Sequence, residues 1–134
     1  MLGEKIYEAQ GKVTGTRVLD AATYKIESSY TVQGKFKGIE VTEMGTFWSV
    51  MRPGGFLSGE DQAVVMTAEG DVAQARPVGV GRYTGGGKIR YIGTAIYGDN
   101  CTGKLAFANN MVVNFDVEVD YMNGTMSVQG WEWK

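Results

Sequence analysis

Residues 111–121 carry the pattern that most restricts the fold of this chain, because apolar and polar side chains alternate along them. The apolar positions are Met111, Val113, Phe115, Val117, Val119 and Tyr121, and the polar positions are Asn114, Asp116, Glu118 and Asp120. Successive side chains of a β-strand point to opposite faces, so this alternation is typical of a half-buried antiparallel strand. The same period recurs in residues 24–32, which predicts a protein built from strands.

Glycine separates these segments at short intervals, and its abundance argues against helices. The chain contains 20 glycines and two prolines, and a Gly inside a helix costs about 1 kcal/mol relative to Ala. The turn signals predict strands near residues 4–10, 13–20, 23–33, 35–43, 45–52, 62–68, 72–83, 88–98, 111–121 and 125–133. Only residues 103–110 are expected to form a short helical turn.

Many short strands in 134 residues indicate one domain that is either a β-barrel or a β-sandwich. We predict an all-β fold, a single closed antiparallel barrel of about eight strands that spans residues 1–134. Glycines inside the segments (Gly38, Gly79, Gly81 and Gly93) favour the barrel, because a sheet that closes must coil sharply. Closure also removes the exposed edges of such apolar strands.

The glycine-rich stretch 79–98, GVGRYTGGGKIRYIGTAIYG, raises the question of a phosphate-binding loop. A Walker loop needs Gly, four residues, and then Gly-Lys-Ser/Thr at the start of a helix. Here Arg82 occupies the position of the first Gly, Ile89 follows Lys88, and the next residues are typical of a strand. We therefore predict a hairpin whose loop, residues 84–87, uses glycines for positive φ.

The absence of histidine is the firmest chemical observation, because it removes the commonest general base and the commonest metal ligand. Cys101 is the one cysteine, so no internal disulfide is possible, and neither a metal nor a cofactor is expected. We expect Cys101 to lie in an exposed polar loop and to be unreactive.

Charge and hydropathy exclude two kinds of partner. The chain has 13 basic and 15 acidic residues, without a basic stripe, so nucleic acid is not an expected partner. The apolar runs are too short to cross a membrane, and the first ten residues lack the apolar segment of a secretion signal. We therefore expect a cytoplasmic protein that does not bind a membrane.

The C-terminal hairpin permits a more specific prediction. Asn123-Gly124 is typical of a two-residue type I′ turn, which would place Met122 opposite Thr125 and Phe115 opposite Glu132. On this register Glu132 shares the interior face with Phe115.

A carboxylate among apolar side chains has a raised pKa, which makes Glu132 a candidate catalytic acid or base. Glu40 is the second candidate. The alternative is that Glu132 lies at the barrel rim, in water or paired with an arginine. The same register turns Trp131 and Trp133 outward, and two exposed indoles on one face favour self-association.

Residues that could line a cavity are aromatic, methionine or arginine side chains. Methionines line adaptable pockets or fill gaps in a core, and an inward arginine could hold a carboxylate, although arginines near strand ends are usually solvated rim charges. The candidate ligand-binding residues are Tyr30, Trp48, Arg52, Met66, Arg82, Tyr91, Met111 and Phe115.

Several short motifs resemble a known family. They are RPGG (52–55), VVMT (64–67), GVGRYTG (79–85), GKLAF followed by NN (103–110) and WEWK (131–134). The family comprises small, functionally uncharacterised prokaryotic proteins with a calycin-like barrel similar to that of allene oxide cyclase. The resemblance implies an eight-stranded barrel and a homo-oligomer, and fold relatives include cyclases and isomerases that shape apolar substrates. No catalytic residue of those enzymes matches a position here.

Three functions follow as hypotheses. The first is a barrel that binds an apolar or aromatic small molecule in its interior, without an assigned activity. The second is an isomerase, cyclase or lyase, natural or engineered on such a barrel, that uses cavity shape and one buried carboxylate. The third is a purely structural oligomer that associates through Trp131 and Trp133.

Overall fold

The structure, a computed structural model, describes all residues from Met1 to Lys134 and forms one closed antiparallel barrel. Its strands are β1 (Leu2–Asp20), β2 (Lys25–Phe36), β3 (Ile39–Arg52), β4 (Phe56–Met66), β5 (Val72–Gly85), β6 (Lys88–Tyr97), β7 (Val112–Asp120) and β8 (Thr125–Trp133). Each strand pairs with the next, and β8 pairs with β1, so no strand edge stays unpaired. The predicted all-β barrel is confirmed.

Two glycines that were expected to separate strands lie inside them, so ten predicted segments become eight strands. Gly11 is part of β1 and Gly45 is part of β3. A methyl group on Gly11 would overlap the carbonyl of Thr31, so this glycine permits close strand approach rather than a turn. The break predicted at residue 34 also lies inside a strand, β2, and the turn between β2 and β3 falls at Lys37 and Gly38, whose φ angles are 48° and 79°.

The glycines of β5 and β6 make room for aromatic rings. A methyl group on Gly81 would overlap the ring of Tyr91, and one on Gly93 would overlap the ring of Phe115. Gly79 is also in contact range of Phe115. These glycines therefore fit rings inside the barrel, a role that the prediction of sharp coiling had not included.

The glycine-rich stretch forms the predicted hairpin. β5 ends at Gly85 and β6 begins at Lys88. Gly85, Gly86 and Gly87 have φ angles of 106°, 63° and 78°, which side chains other than glycine rarely adopt. The stretch is a turn between strands.

The predicted register of the last hairpin was wrong by two residues. Asp120 pairs with Thr125 and Val113 pairs with Glu132, so the loop contains four residues, 121–124. The cause is Asp120, whose carboxylate accepts hydrogen bonds from the amides of Met122 and Asn123 and from the Asn123 side chain. These bonds stabilise a wider loop than a type I′ turn.

One end of the barrel is closed by the connection between β6 and β7, which contains a 3-10 helix, Gly103–Ala108. Its Leu105 is fully buried. The Phe36 ring lies 4.9 Å from the Phe107 ring and 5.3 Å from the Tyr97 ring, measured between centroids. We refer to Phe36, Tyr97, Leu105 and Phe107 as the capped end.

Cys101 is buried beside the capped end, so the expectation of an exposed thiol was wrong. Its amide donates to Oδ1 of Asn109 over 2.7 Å, and Nδ2 of Asn109 donates to the Cys101 carbonyl over 3.1 Å. The Asn109 side chain thus satisfies the backbone of an irregular loop and holds it against the barrel.

The protein has no helix of the length and hydropathy needed to cross a membrane.

Candidate functional site

The middle of the barrel contains a cavity of about 80 Å³. Its walls are mostly apolar, and the aromatic part of the lining includes Phe47, Tyr91 and Phe115. Pockets for small molecules commonly have such walls together with a few placed polar groups. Here the lining includes tyrosine hydroxyls and three acids, of which Glu43 is buried, Asp61 is partly buried and Glu60 is exposed.

Four neighbouring strands bring two acids and two tyrosines together, one from each strand. They are Tyr7 of β1, Tyr30 of β2, Glu43 of β3 and Asp61 of β4, and we call them the acid–tyrosine cluster. The Tyr30 hydroxyl lies 2.6 Å from Oε2 of Glu43 and 2.7 Å from Oδ2 of Asp61. The Tyr7 hydroxyl donates to Oε1 of Glu43 over 2.5 Å. All three distances are short, as expected for charge-assisted hydrogen bonds.

The number of protons in this cluster is constrained by its geometry. A tyrosine hydroxyl has one proton, so Tyr30 can donate to one carboxyl group and must accept from the other. One of the two carboxyl groups is therefore protonated when both contacts are hydrogen bonds. Tyr7 also donates to Glu43, which favours the Glu43 anion, so Tyr30 donates to Glu43 as well and accepts from Asp61. This assigns the extra proton to Asp61.

Burial also favours the protonated form of the carboxyl groups in the cluster. Desolvation raises the pKa of the Asp61 carboxyl to about 7, opposed by its hydrogen bond to Tyr30 and by the backbone amide of Gln62, and reinforced by the charge of Glu43. Desolvation also raises the pKa of Glu43, opposed by its two tyrosine partners. The pKa values of Tyr7 and Tyr30 are raised by burial, so both hydroxyls are neutral at ordinary pH.

The second oxygen of Asp61 has no close hydrogen-bond partner, although the backbone amide of Gln62 is near the carboxyl group. This oxygen, Oδ1, is shielded from solvent and has no hydrogen bond. Such a buried, unpaired acceptor costs about 1–3 kcal/mol. The strand pairing is also interrupted here, because β4 and β5 pair over 56–60 with 78–82 and over 63–66 with 72–75, which leaves Asp61 and Pro77 unpaired with each other. Pro77 lacks the N–H that a regular ladder would use.

Three predicted ligand-binding residues line the cavity, namely Tyr30, Tyr91 and Phe115. The other five do not. Trp48 and Met66 are on the outer face, since their neighbours along β3 and β4 are the buried ones. Arg52 and Arg82 are exposed near the turns, with Arg82 over the Phe56 ring, and Met111 packs at the capped end.

Neither predicted catalytic acid lies at the cavity. Glu40 is exposed on the outer face of β3. Glu132 lies at the barrel rim, where its Oε1 is 3.9 Å from Nζ of Lys37 and a quarter of its side chain is exposed. The corrected register explains this position, because it moves Glu132 from Phe115 to Val113, toward the end of the barrel. The rim alternative is confirmed, with a lysine in place of the arginine.

Sequence reasoning missed Glu43 and Asp61, although one signal for them exists. In β3 the inward positions are Val41, Glu43, Gly45 and Phe47, and in β4 they are Leu57, Gly59, Asp61, Ala63 and Val65. An acid at an otherwise apolar period-two position indicates a buried carboxyl group. The predicted strand 62–68 began one residue too late to include Asp61.

Comparisons with known proteins define the fold and no more. No protein-family model matches the sequence, and no curated protein matches it. The structure is similar to the crystal structure of a conserved protein of unknown function from Rhodopseudomonas palustris. The TM-score is 0.76 at 10% sequence identity, over 98% of this chain and 97% of that one. At this identity the likeness establishes a shared barrel architecture.

No group of three or more Cys, Asp or Glu side chains is arranged to hold a metal ion. The polar side chains that line the cavity carry carboxyl and hydroxyl groups. The Asp61 carboxyl group can accept hydrogen bonds from a ligand, and it can donate or accept a proton.

Proposed function

We propose that the barrel binds a small, largely apolar molecule in its interior, with one hydrogen-bond donor directed at Asp61. The observation that carries this proposal is a mostly apolar cavity with the carboxyl group of Asp61, whose Oδ1 has no close hydrogen-bond partner, in its lining. A ligand that donates to this oxygen would remove the cost of burying it without a partner.

The cavity volume restricts the ligand. A cavity of about 150 Å³ lined by apolar side chains accommodates benzene, whereas this one measures about 80 Å³. Ligands on the order of three to five non-hydrogen atoms fit without movement of the walls. An aromatic ligand requires a wall ring, such as that of Phe115, to move.

The test is an NMR titration with isobutanol, which has an apolar body and one hydroxyl donor. We expect saturable shifts of the methyl signals of Val117, Val119 and Val128, which line the cavity. Signals of exposed Val78 and Val80 serve as the internal reference and should not move.

A matched pair of variants separates cavity binding from surface binding. Ala95 is buried on the cavity wall and Ala68 is exposed in a turn. Ala95→Leu should fill the cavity and abolish the shifts, while Ala68→Leu should leave them unchanged. Saturable binding that survives Ala95→Leu, or the absence of any saturable shift in the unmodified protein, would reject the proposal.

A second candidate function is proton transfer of the isomerase, cyclase or lyase type. It is favoured by the pKa of Asp61, which at about 7 suits a general acid or base at neutral pH. Asp61 would replace Glu132 and Glu40 in the predicted role of the buried carboxylate.

Deuterium incorporation into butanone in D2O, followed by NMR, tests this second function. A base at Asp61 removes an α-proton from the ketone, and solvent deuterium then returns to the carbon. Exchange faster than in buffer that is lost in Asp61→Asn supports proton transfer. A rate equal to the buffer rate excludes it for this ligand.

The proposal also covers the family, the cellular location and the oligomeric state of the protein. The motif resemblance supports a calycin-like relative of the allene oxide cyclase barrel, and the single cysteine supports a reducing compartment such as the cytoplasm. The charge balance supports the absence of a nucleic-acid partner, and the short apolar runs support the absence of a membrane partner. Trp133 is exposed, which supports a homo-oligomer that uses the Trp131 and Trp133 face. Analytical ultracentrifugation of the Trp131→Ala, Trp133→Ala variant tests it, since an unchanged oligomer would reject this face.

A further inference from the structure

We infer that the ligand of the cavity is a small aliphatic amine, bound as its ammonium ion by Asp61. The inference rests on the proposed function, because it names the chemical class of the molecule that enters the cavity. Its basis is the charge of the interior and the places where the positive charges of the chain are found.

The acid–tyrosine cluster contains two acids, and no lysine or arginine lines the cavity. Glu43 and Asp61 share the Tyr30 hydroxyl over 2.6 and 2.7 Å. Of the 13 lysines and arginines, none is buried, and every ion pair joins side chains at the surface. Buried charges in proteins are normally paired. The acids of the acid–tyrosine cluster therefore attract a cationic ligand.

An ammonium group matches the remaining features of the cavity. It offers three N–H donors for the Asp61 carboxyl group, whose Oδ1 has no close hydrogen-bond partner. The rings of Phe47, Tyr91 and Phe115 on the lining provide faces that attract a cation. The apolar lining then accommodates the alkyl part. An alcohol of the same shape satisfies the oxygen but leaves the acids without a counter-charge, and a carboxylate would add a third acid.

The proton balance gives the proposal a distinctive signature. Below about pH 7 Asp61 carries a proton, so an ammonium ion that binds its carboxylate displaces that proton into the solvent. The N–H bonds of the ammonium ion stay intact, and the O–H bond of Asp61 is the one that breaks. Above that pH Asp61 is already ionised, and binding releases little. A neutral alcohol displaces no proton at either pH.

Isothermal titration calorimetry with isobutylamine and isobutanol tests this, in two buffers of different ionisation enthalpy. We expect isobutylamine to bind about tenfold or more tightly than isobutanol at a pH of about 8, because a charged hydrogen bond replaces a neutral one. At a pH of about 6 we expect release of up to one proton per isobutylamine and none per isobutanol.

Two variants assign the effect to Asp61. Asp61→Asn retains a hydrogen-bonding side chain without the charge and should abolish both the preference for the amine and the proton release. Glu40→Gln removes a charge from the outer face and should change neither. If Asp61→Asn does not fold, the proton count of the unmodified protein decides the question.

The outcomes separate the two proposals. Binding of isobutanol as tight as that of isobutylamine, or amine binding without proton release at the lower pH, overturns the amine assignment and leaves cavity binding in place. Binding of neither molecule overturns both. An amine preference that persists in folded Asp61→Asn also overturns the assignment.

Discussion

The capped end and the middle of the barrel interior are built in opposite ways. At the capped end Phe36 contacts the rings of Tyr7, Tyr97 and Phe107 at 4.9–5.3 Å, and the packing is tight. In the middle a cavity remains, and two acids compete for the proton of Tyr30. The capped end adds stability, whereas the middle costs stability and keeps polar groups available. This contrast is typical of a scaffold that supports a functional site.

The largest expected effect is at the capped end. Phe36 is fully buried, so Phe36→Ala should lower the free energy of unfolding by about 3–5 kcal/mol through lost burial and an uncollapsed cavity. The matched control is Phe56→Ala, because Phe56 is 40% exposed. Guanidinium unfolding measures both. Equal losses at the two positions would contradict the view that the capped end is the stabilising part of the barrel.

The next largest effect is the pH dependence of folding stability that Asp61, in the middle of the barrel, causes. Asp61 titrates at about 7 in the folded barrel against 3.8 in the unfolded chain, so the folded state holds a proton that the unfolded state has lost. Stability from this group is complete below about pH 4 and declines as pH rises to about 7, by up to about 4 kcal/mol. The raised pKa of Glu43 acts with the same sign.

The measurement is urea unfolding from about pH 4 to about pH 8, for the unmodified protein and for Asp61→Asn. Subtracting the two curves removes the contributions of other acids, among them Glu69 and Asp120, whose lowered pKa values have the opposite sign. The difference should decline with pH. A flat difference would show that Asp61 titrates normally and that the middle is no more costly than the surface.

A smaller effect is expected from the hydroxyl that links the two acids. Tyr30→Phe leaves Asp61 without a partner and Glu43 with one, which should cost about 1–3 kcal/mol. Tyr91→Phe is the matched control, because its hydroxyl donates to the neutral Ser49 Oγ over a longer 3.2 Å. Thermal unfolding of both variants compares them. A loss at Tyr91 as large as that at Tyr30 would remove the special status of the acid–tyrosine cluster.

Much of the fold followed from the sequence, because it depends on local patterns. Alternation in residues 111–121 predicted a strand that the structure gives as Val112–Asp120, and glycines 85–87 predicted a turn. Glycine was ambiguous, since Gly11 and Gly45 serve close packing within strands while Gly38 serves a turn. Only the three-dimensional neighbours distinguish these two roles.

The site was largely beyond the sequence, because it depends on register. The acid–tyrosine cluster joins residues 7, 30, 43 and 61, and their distances follow from how four strands are staggered. Local patterns placed Tyr30, Tyr91 and Phe115 inside. They could not identify which inward acid would meet a tyrosine, and the side-chain bonds of Asp120 changed the one register that was predicted.

Glu132 is the position at which that register error matters most, and it should show the smallest effect. Its partner Lys37 lies at the rim, with Nζ 3.9 Å from Oε1 of Glu132, which is too long for a hydrogen bond. Glu132→Gln should therefore change the free energy of unfolding by less than about 0.5 kcal/mol and leave isobutanol binding unchanged. Urea unfolding and the NMR titration measure the two quantities. Loss of binding in this variant, with stability retained, would mean that the rim carboxylate takes part in ligand binding. It would contradict the view that the acid–tyrosine cluster alone provides the acidic group of the site.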